Sequence, residues 1–119
     1  MEGLSKEVQP FGITATLVQP GFFRTDFLDS NSINYGDRDI ADYAKASAAF
    51  KAWHDQHNHQ QPGDPSKLAS VLLELAHSNT PPLHYAAGSD ALELALGAAE
   101  ARRVGAQQLA DLSRSSDFQ

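Results

Sequence analysis

Two stretches of the chain read as β-strands, and having only two constrains the fold more than any other feature. They are residues 13–19 (Ile13-Thr14-Ala15-Thr16-Leu17-Val18-Gln19) and residues 83–87 (Leu83-His84-Tyr85-Ala86-Ala87). Pro20-Gly21 closes the first and Gly88 the second. Residues 4–9 read as the last turns of a helix that stops at Pro10, and Pro10-Phe11-Gly12 makes a tight helix-to-strand turn. Helix, short glycine turn and apolar strand is the rhythm of an α/β protein with a parallel sheet. Two parallel strands leave unpaired N–H and C=O groups on both open edges. An isolated two-turn helix is unstable in water. The organisation therefore predicts half of a larger domain, with something preceding the first helix or docking it tightly.

Residues 22–39 are loop-like, rich in Ser30, Asn31, Ser32, Asn34 and Gly36. A helix is predicted from about Asp39 to His57, with Ile40, Tyr43, Ser47, Phe50, His54 and His57 at three- and four-residue steps and Trp53 beside them. This stripe is narrow and alanine-rich, which suits a helix lying over something rather than through a core. Asp64-Pro65 opens the next helix as N-cap and first helical residue. Leu68, Val71, Leu72, Leu75 and Ala76 give that helix a firm apolar face, and it ends before Pro81-Pro82. Asp90 is placed to cap the last helix, with Glu93 in capping-box register. Leu92, Ala95, Leu96 and Ala99, and later Leu109 and Leu112, mark its face, and residues 113–119 are expected to fray.

Composition excludes several functions. The chain has 119 residues, 9 Lys+Arg against 15 Asp+Glu and a formal net charge of −6, with no basic run. It is therefore a poor partner for nucleic acid or an anionic membrane. With no cysteine it has no disulfides, thiolate catalysis or zinc–thiolate site. No apolar run reaches the length of a membrane span and no secretory signal is read, so a cytoplasmic protein is expected.

From Gly12 through Pro20, Gly21 and Thr25 to Asp26 the sequence resembles the short-chain dehydrogenase/reductase family, whose sixth strand ends in Pro-Gly with a Thr four residues after the Gly. Residues 2–8, Asp64-Pro65 with its helix, Leu83 to Asp90 with Gly88-Ser89-Asp90, and Ser115-Ser116-Asp117-Phe118 resemble flanking elements of the same family in the same order. The resemblance implies the C-terminal part of a Rossmann-like, doubly wound parallel sheet with two strands and three main helices, incomplete, across residues 1–119. It implies NAD or NADP as cofactor of the parent enzyme, which would act on an alcohol or carbonyl. Pro20 and Gly21 would lie along the nicotinamide, and the Thr25 hydroxyl would meet its carboxamide. Residues 22–63 would form the substrate loop and lid.

The family's Gly-rich turn is missing, since none of the eight glycines lies in one. Its Tyr-x-x-x-Lys is missing too: Tyr35 is followed at that spacing by Asp39, Tyr43 by Ser47 and Tyr85 by Ser89. The expectation is a C-terminal half from a truncated or mis-started reading frame, with no catalytic residue of its own, inactive alone and not binding the dinucleotide alone. The alternative is a non-enzymatic interaction fragment or remnant that self-associates or docks onto a related subunit.

The plainer alternative for the segment from Pro20 to Asp26 is a strand terminator followed by a helix N-cap at Thr25 or Asp26. Phe22 and Phe23 can line a substrate pocket or serve as core. His54, His57 and His59 invite a metal reading, but no carboxylate completes the set and a solvated helix end is preferred. Asp26, Asp29, Asp37, Asp39 and Asp42 read as caps and solvated charges.

Overall fold

The structure, a computed structural model, describes residues 1–36 and 40–118. The helix start placed at Asp39, the caps Asp37 and Asp39, and Gln119 lie outside the described residues.

Helix α1, Glu2–Val8, continues into a 3-10 turn, Gln9–Phe11. Gly12 stops it in the left-handed region at φ 72°, where its N–H donates to Gln9 O at 3.0 Å. The first strand, β1, is Leu17–Pro20, and the second, β2, is His84–Ala87. They pair in parallel with Leu17 opposite His84 and Pro20 opposite Ala87. The strand is shorter than the expected 13–19 at its start and one residue longer at its end. The cause lies in its partner. Pro81 and Pro82 have no N–H to extend the ladder, so pairing begins with Leu17 N donating to Leu83 O at 2.7 Å. Just before it, the Thr16 hydroxyl donates to Pro82 O at 2.8 Å in place of a backbone bond.

Between the strands lie α2, Ala44–His57, and α3, Pro65–His77. α2 begins later than expected: Ile40 is extended (φ −102°, ψ 118°) and a 3-10 turn, Ala41–Tyr43, precedes the helix. α3 starts as predicted, with Asp64 Oδ1 accepting from Ser66 N at 2.9 Å and Lys67 N at 3.4 Å, and Pro65 in the first turn. Residues 61–63 are laced to the segment after β1. Gly63 N donates to Phe22 O and Arg24 N to Gly63 O, both at 2.9 Å, and the Arg24 guanidinium donates twice to Gln61 O at 3.2 and 3.1 Å. After β2, Gly88 (φ 103°) turns the chain into α4, Ser89–Gln108. The expected single last helix breaks at Leu109 (φ −103°, ψ 9°) and resumes as α5, Ala110–Arg114, so Ser113 and Arg114 are helical where fraying was expected.

The observed fold is α/β with a two-stranded parallel sheet, a partial Rossmann-like arrangement. Among the described residues Leu28, Ala87, Ala91 and the polar Gln61 are buried, with Ala87, at the end of β2, fully covered. Elsewhere large apolar side chains face outward, including Leu73, Leu94, Leu96 and Leu112. The radius of gyration is 20.1 Å, against about 13.5 Å for a compact domain of this length.

Candidate functional site

The C-terminal end of β1 is tied down from two sides. Gly21 N donates to Ala87 O at 2.9 Å, continuing the ladder one step past the strands. The next amide, Phe22 N, donates to Asp90 Oδ2 at 2.7 Å. Asp90 is thus not the cap of α4 that its sequence position suggests. It sits in the helix's first turn, Gly88 takes the N-cap position, and the carboxylate reaches across to β1. The Phe22 N–H holds the Asp90 carboxyl below its ordinary value; partial desolvation opposes this, and the nearby amides of Ala91 and Asp90 itself add to it. The negative charge also lies at the positive end of a helix dipole. The Asp90 carboxylate occupies the space where a Cβ on residue 21 would go, so a side chain there would push it off the Phe22 amide.

Past this anchor the chain opens onto a cavity of 410 Å³. Pro20, Gly21, Phe22, Phe23 and Thr25, the residues singled out from sequence, all line it. Phe27, Leu28, Pro65 and Leu68 add apolar wall, and His54 and Gln61 complete the lining. Thr25 caps a 3-10 turn, Asp26–Leu28, its Oγ1 accepting from Phe27 N at 3.3 Å. As an acceptor there, the hydroxyl keeps its own proton for another partner. Phe22 is half exposed and packs on Trp53 with ring centroids 5.4 Å apart. Phe23 is half-buried, its ring against Gly63 and near Gly88. It also borders a second cavity of 180 Å³ with Tyr85 and Val71. Phe22 is therefore the more open of the pair and Phe23 the more structural.

The three histidines of the α2 end go separate ways. His54 Nδ1 lies 3.1 Å from the Tyr35 hydroxyl. His57 stacks on Trp53 at 4.3 Å, with its Nδ1 2.7 Å from Trp53 O. His59, at φ 57°, places Nε2 2.9 Å from Asp29 Oδ1, which also accepts from Asn58 Nδ2 at 2.7 Å. Asp29 is thus a tether for the segment after α2 rather than a solvated charge. Asp26, Asp29 and His59 bring their ligand atoms within 4.8 Å of one another, a grouping that sequence spacing could not reveal. Asp42 stays exposed in its 3-10 turn. The Asp90–Phe22 bond and the place of Gln61 are likewise invisible in the sequence. Their one local trace is the glycine at position 21, which has two explanations: close approach of a ligand or close approach of a carboxylate.

No helix among the described residues is long and apolar enough to cross a membrane. No family model matches the chain. An oxidoreductase of Botryotinia fuckeliana (strain B05.10) is 31% identical over 113 residues, which is 95% of this chain and 40% of that protein. An uncharacterized oxidoreductase of Schizosaccharomyces pombe is 31% identical over 79% of this chain and 33% of its own length. Among solved structures, a short-chain dehydrogenase from Streptomyces avermitilis superposes with a TM-score of 0.71 at 31% identity, over 98% of this chain and 41% of that one. The chain therefore spans about two fifths or less of each of these relatives.

Proposed function

This chain is a short-chain-dehydrogenase-like segment, and from that premise we propose that it forms the nicotinamide and substrate side of an NAD(P)-dependent oxidoreductase acting on an alcohol or carbonyl. In this reading residues 1–119 are the C-terminal part of a Rossmann domain and residues 22–63 its substrate loop. One observation carries the proposal: a cavity at the C-terminal end of a parallel strand, lined by Pro20, Gly21, Phe22, Phe23 and Thr25 together. Ligands of open α/β sheets bind at that end.

The residues present suit the nicotinamide end of the cofactor. The Gly21 and Phe22 amides are already bonded, to Ala87 and Asp90, so the backbone there is a fixed, flat wall. Thr25 has a hydroxyl proton to give to a carboxamide oxygen. When bound, the cofactor would supply hydride transfer. The chain's own part is to bind and orient the ring, and to keep water from it with Phe22 and Phe27. A general acid/base and a phosphate-binding turn would come from a complementary half. The test is reconstitution. The chain is mixed with the portion of a relative that carries a Gly-rich turn and Tyr-x-x-x-Lys, and NADH or NADPH oxidation is followed with a panel of ketones. Turnover appearing only in the mixture supports the reading, and none under conditions where the two halves co-elute defeats it.

A second reading, an interaction segment that pairs with itself or a related subunit, is favoured by surface area. The chain exposes 10027 Å², against about 6,300 Å² for a compact protein of this mass. The difference exceeds the roughly 800 Å² per partner of a standard interface.

A further inference from the structure

We propose that His54, held by Tyr35, is the polar end-wall of the 410 Å³ cavity and selects a flat apolar ligand, an aromatic carbonyl compound, that carries a second hydrogen-bonding group. This rests on reading the cavity as the substrate side, but not on any dinucleotide being bound. The cavity lining is mostly apolar, and Phe22, Phe23 and Phe27 supply three aromatic rings. In such a site a few placed polar groups decide orientation and specificity. His54 is fixed from several directions. Its Nδ1 meets the Tyr35 hydroxyl at 3.1 Å, its ring packs on Phe50 at 4.1 Å, and Trp53 stands edge-on at 5.6 Å. With Nδ1 engaged by the Tyr35 hydroxyl, Nε2 is the ring atom left for a ligand. Whichever way the proton lies between Tyr35 and Nδ1, Nε2 takes the complementary role of donor or acceptor. A ligand hydroxyl can answer either. Gln61, 4% exposed, also lines the cavity, but its Oε1 is closed off from solvent and is not offered to a ligand. A ligand lacking a polar end leaves His54 Nε2 unpaired and loses affinity for that reason.

The test uses the full chain without dinucleotide and the probes 4-hydroxyacetophenone and 4-methylacetophenone, which differ by hydroxyl for methyl. Trp53, the single tryptophan, packs against Phe22 and His54, so its indole N–H resonance reports occupancy. The expected result is about fivefold tighter binding of the hydroxy probe. His54→Phe should erase that preference while leaving the methyl probe within about twofold, since an aromatic ring still fills the space. If His54→Phe loses both probes, Tyr35→Phe decides: it must shrink the preference by letting the imidazole turn, and an unchanged preference overturns the proposal. A preference that survives His54→Phe overturns it, as does silence of the Trp53 signal to both probes at millimolar concentration. Failed reconstitution would sink the nicotinamide reading and leave this result standing.

Discussion

Gly21 leaves the space that the Asp90 carboxylate fills when it accepts from Phe22 N. A methyl group at residue 21 would overlap the Asp90 carboxylate, so the side chain would have to rotate away and release Phe22 N. Gly21→Ala should cost about 1–3 kcal/mol. That cost should largely vanish in an Asp90→Ala background, a coupling that a double-mutant cycle by denaturant unfolding measures directly. Strict additivity would mean that Gly21 is required by something else. The same carboxylate makes stability pH-dependent. Its folded pKa is depressed, so its contribution is fully present above the ordinary value of 3.8 and is lost as pH falls through the lower folded value. Asp90→Asn should flatten the acid limb of stability against pH while changing little at pH 7 beyond the loss of a charge-assisted bond. Thr25→Val, in a reconstituted enzyme, keeps shape and removes the hydroxyl. A loss of about 1–3 kcal/mol in kcat/KM is expected if the carboxamide bond is made, and unchanged kinetics would leave Thr25 as the cap seen at Phe27 N.

At the scale of elements, α3 rests on local chemistry. Asp64→Ala removes the acceptor of Ser66 N and Lys67 N and should cost about 1 kcal/mol, read as earlier thermal loss of the helical circular-dichroism signal. This is also why α3 was legible in the sequence: cap, proline and apolar stripe are neighbours along the chain. The strands' existence and order and the break at Gly12 could be read for similar reasons, whereas Pro10 lies within the 3-10 turn that carries the first helix on to Phe11. What could not be read depended on distant partners. The length of β1 is set by the prolines that precede β2, and the role of Asp90 by an amide 68 positions away. A carboxylate in the first turn of a helix is the usual signature of a cap, and only the fold reveals that this one faces outward to β1. The divergence of His54, His57 and His59 has the same origin, because a shared helix face does not fix which neighbours each imidazole finds.

For the whole molecule the imbalance between surface and core dominates. Extents of 54 × 42 × 25 Å and few buried side chains among the described residues mean that apolar helix faces meet solvent. A net charge of −6 is modest against that surface. Sedimentation over rising concentration should show species heavier than the 12.9 kDa monomer. A sharply cooperative monomer independent of concentration would contradict this. The parallel pairing of β1 and β2 also has a consequence in time. The α-helices can form within microseconds from residues close in sequence, but the strands meet only after a long crossover closes. Since the cavity mouth is shaped by the Gly21–Ala87 and Phe22–Asp90 bonds that follow that closure, it takes form late. In stopped-flow refolding the Trp53 fluorescence change should trail the helical signal, and a ligand can act only as a latch on a chain already closed, slowing its opening without hastening its assembly.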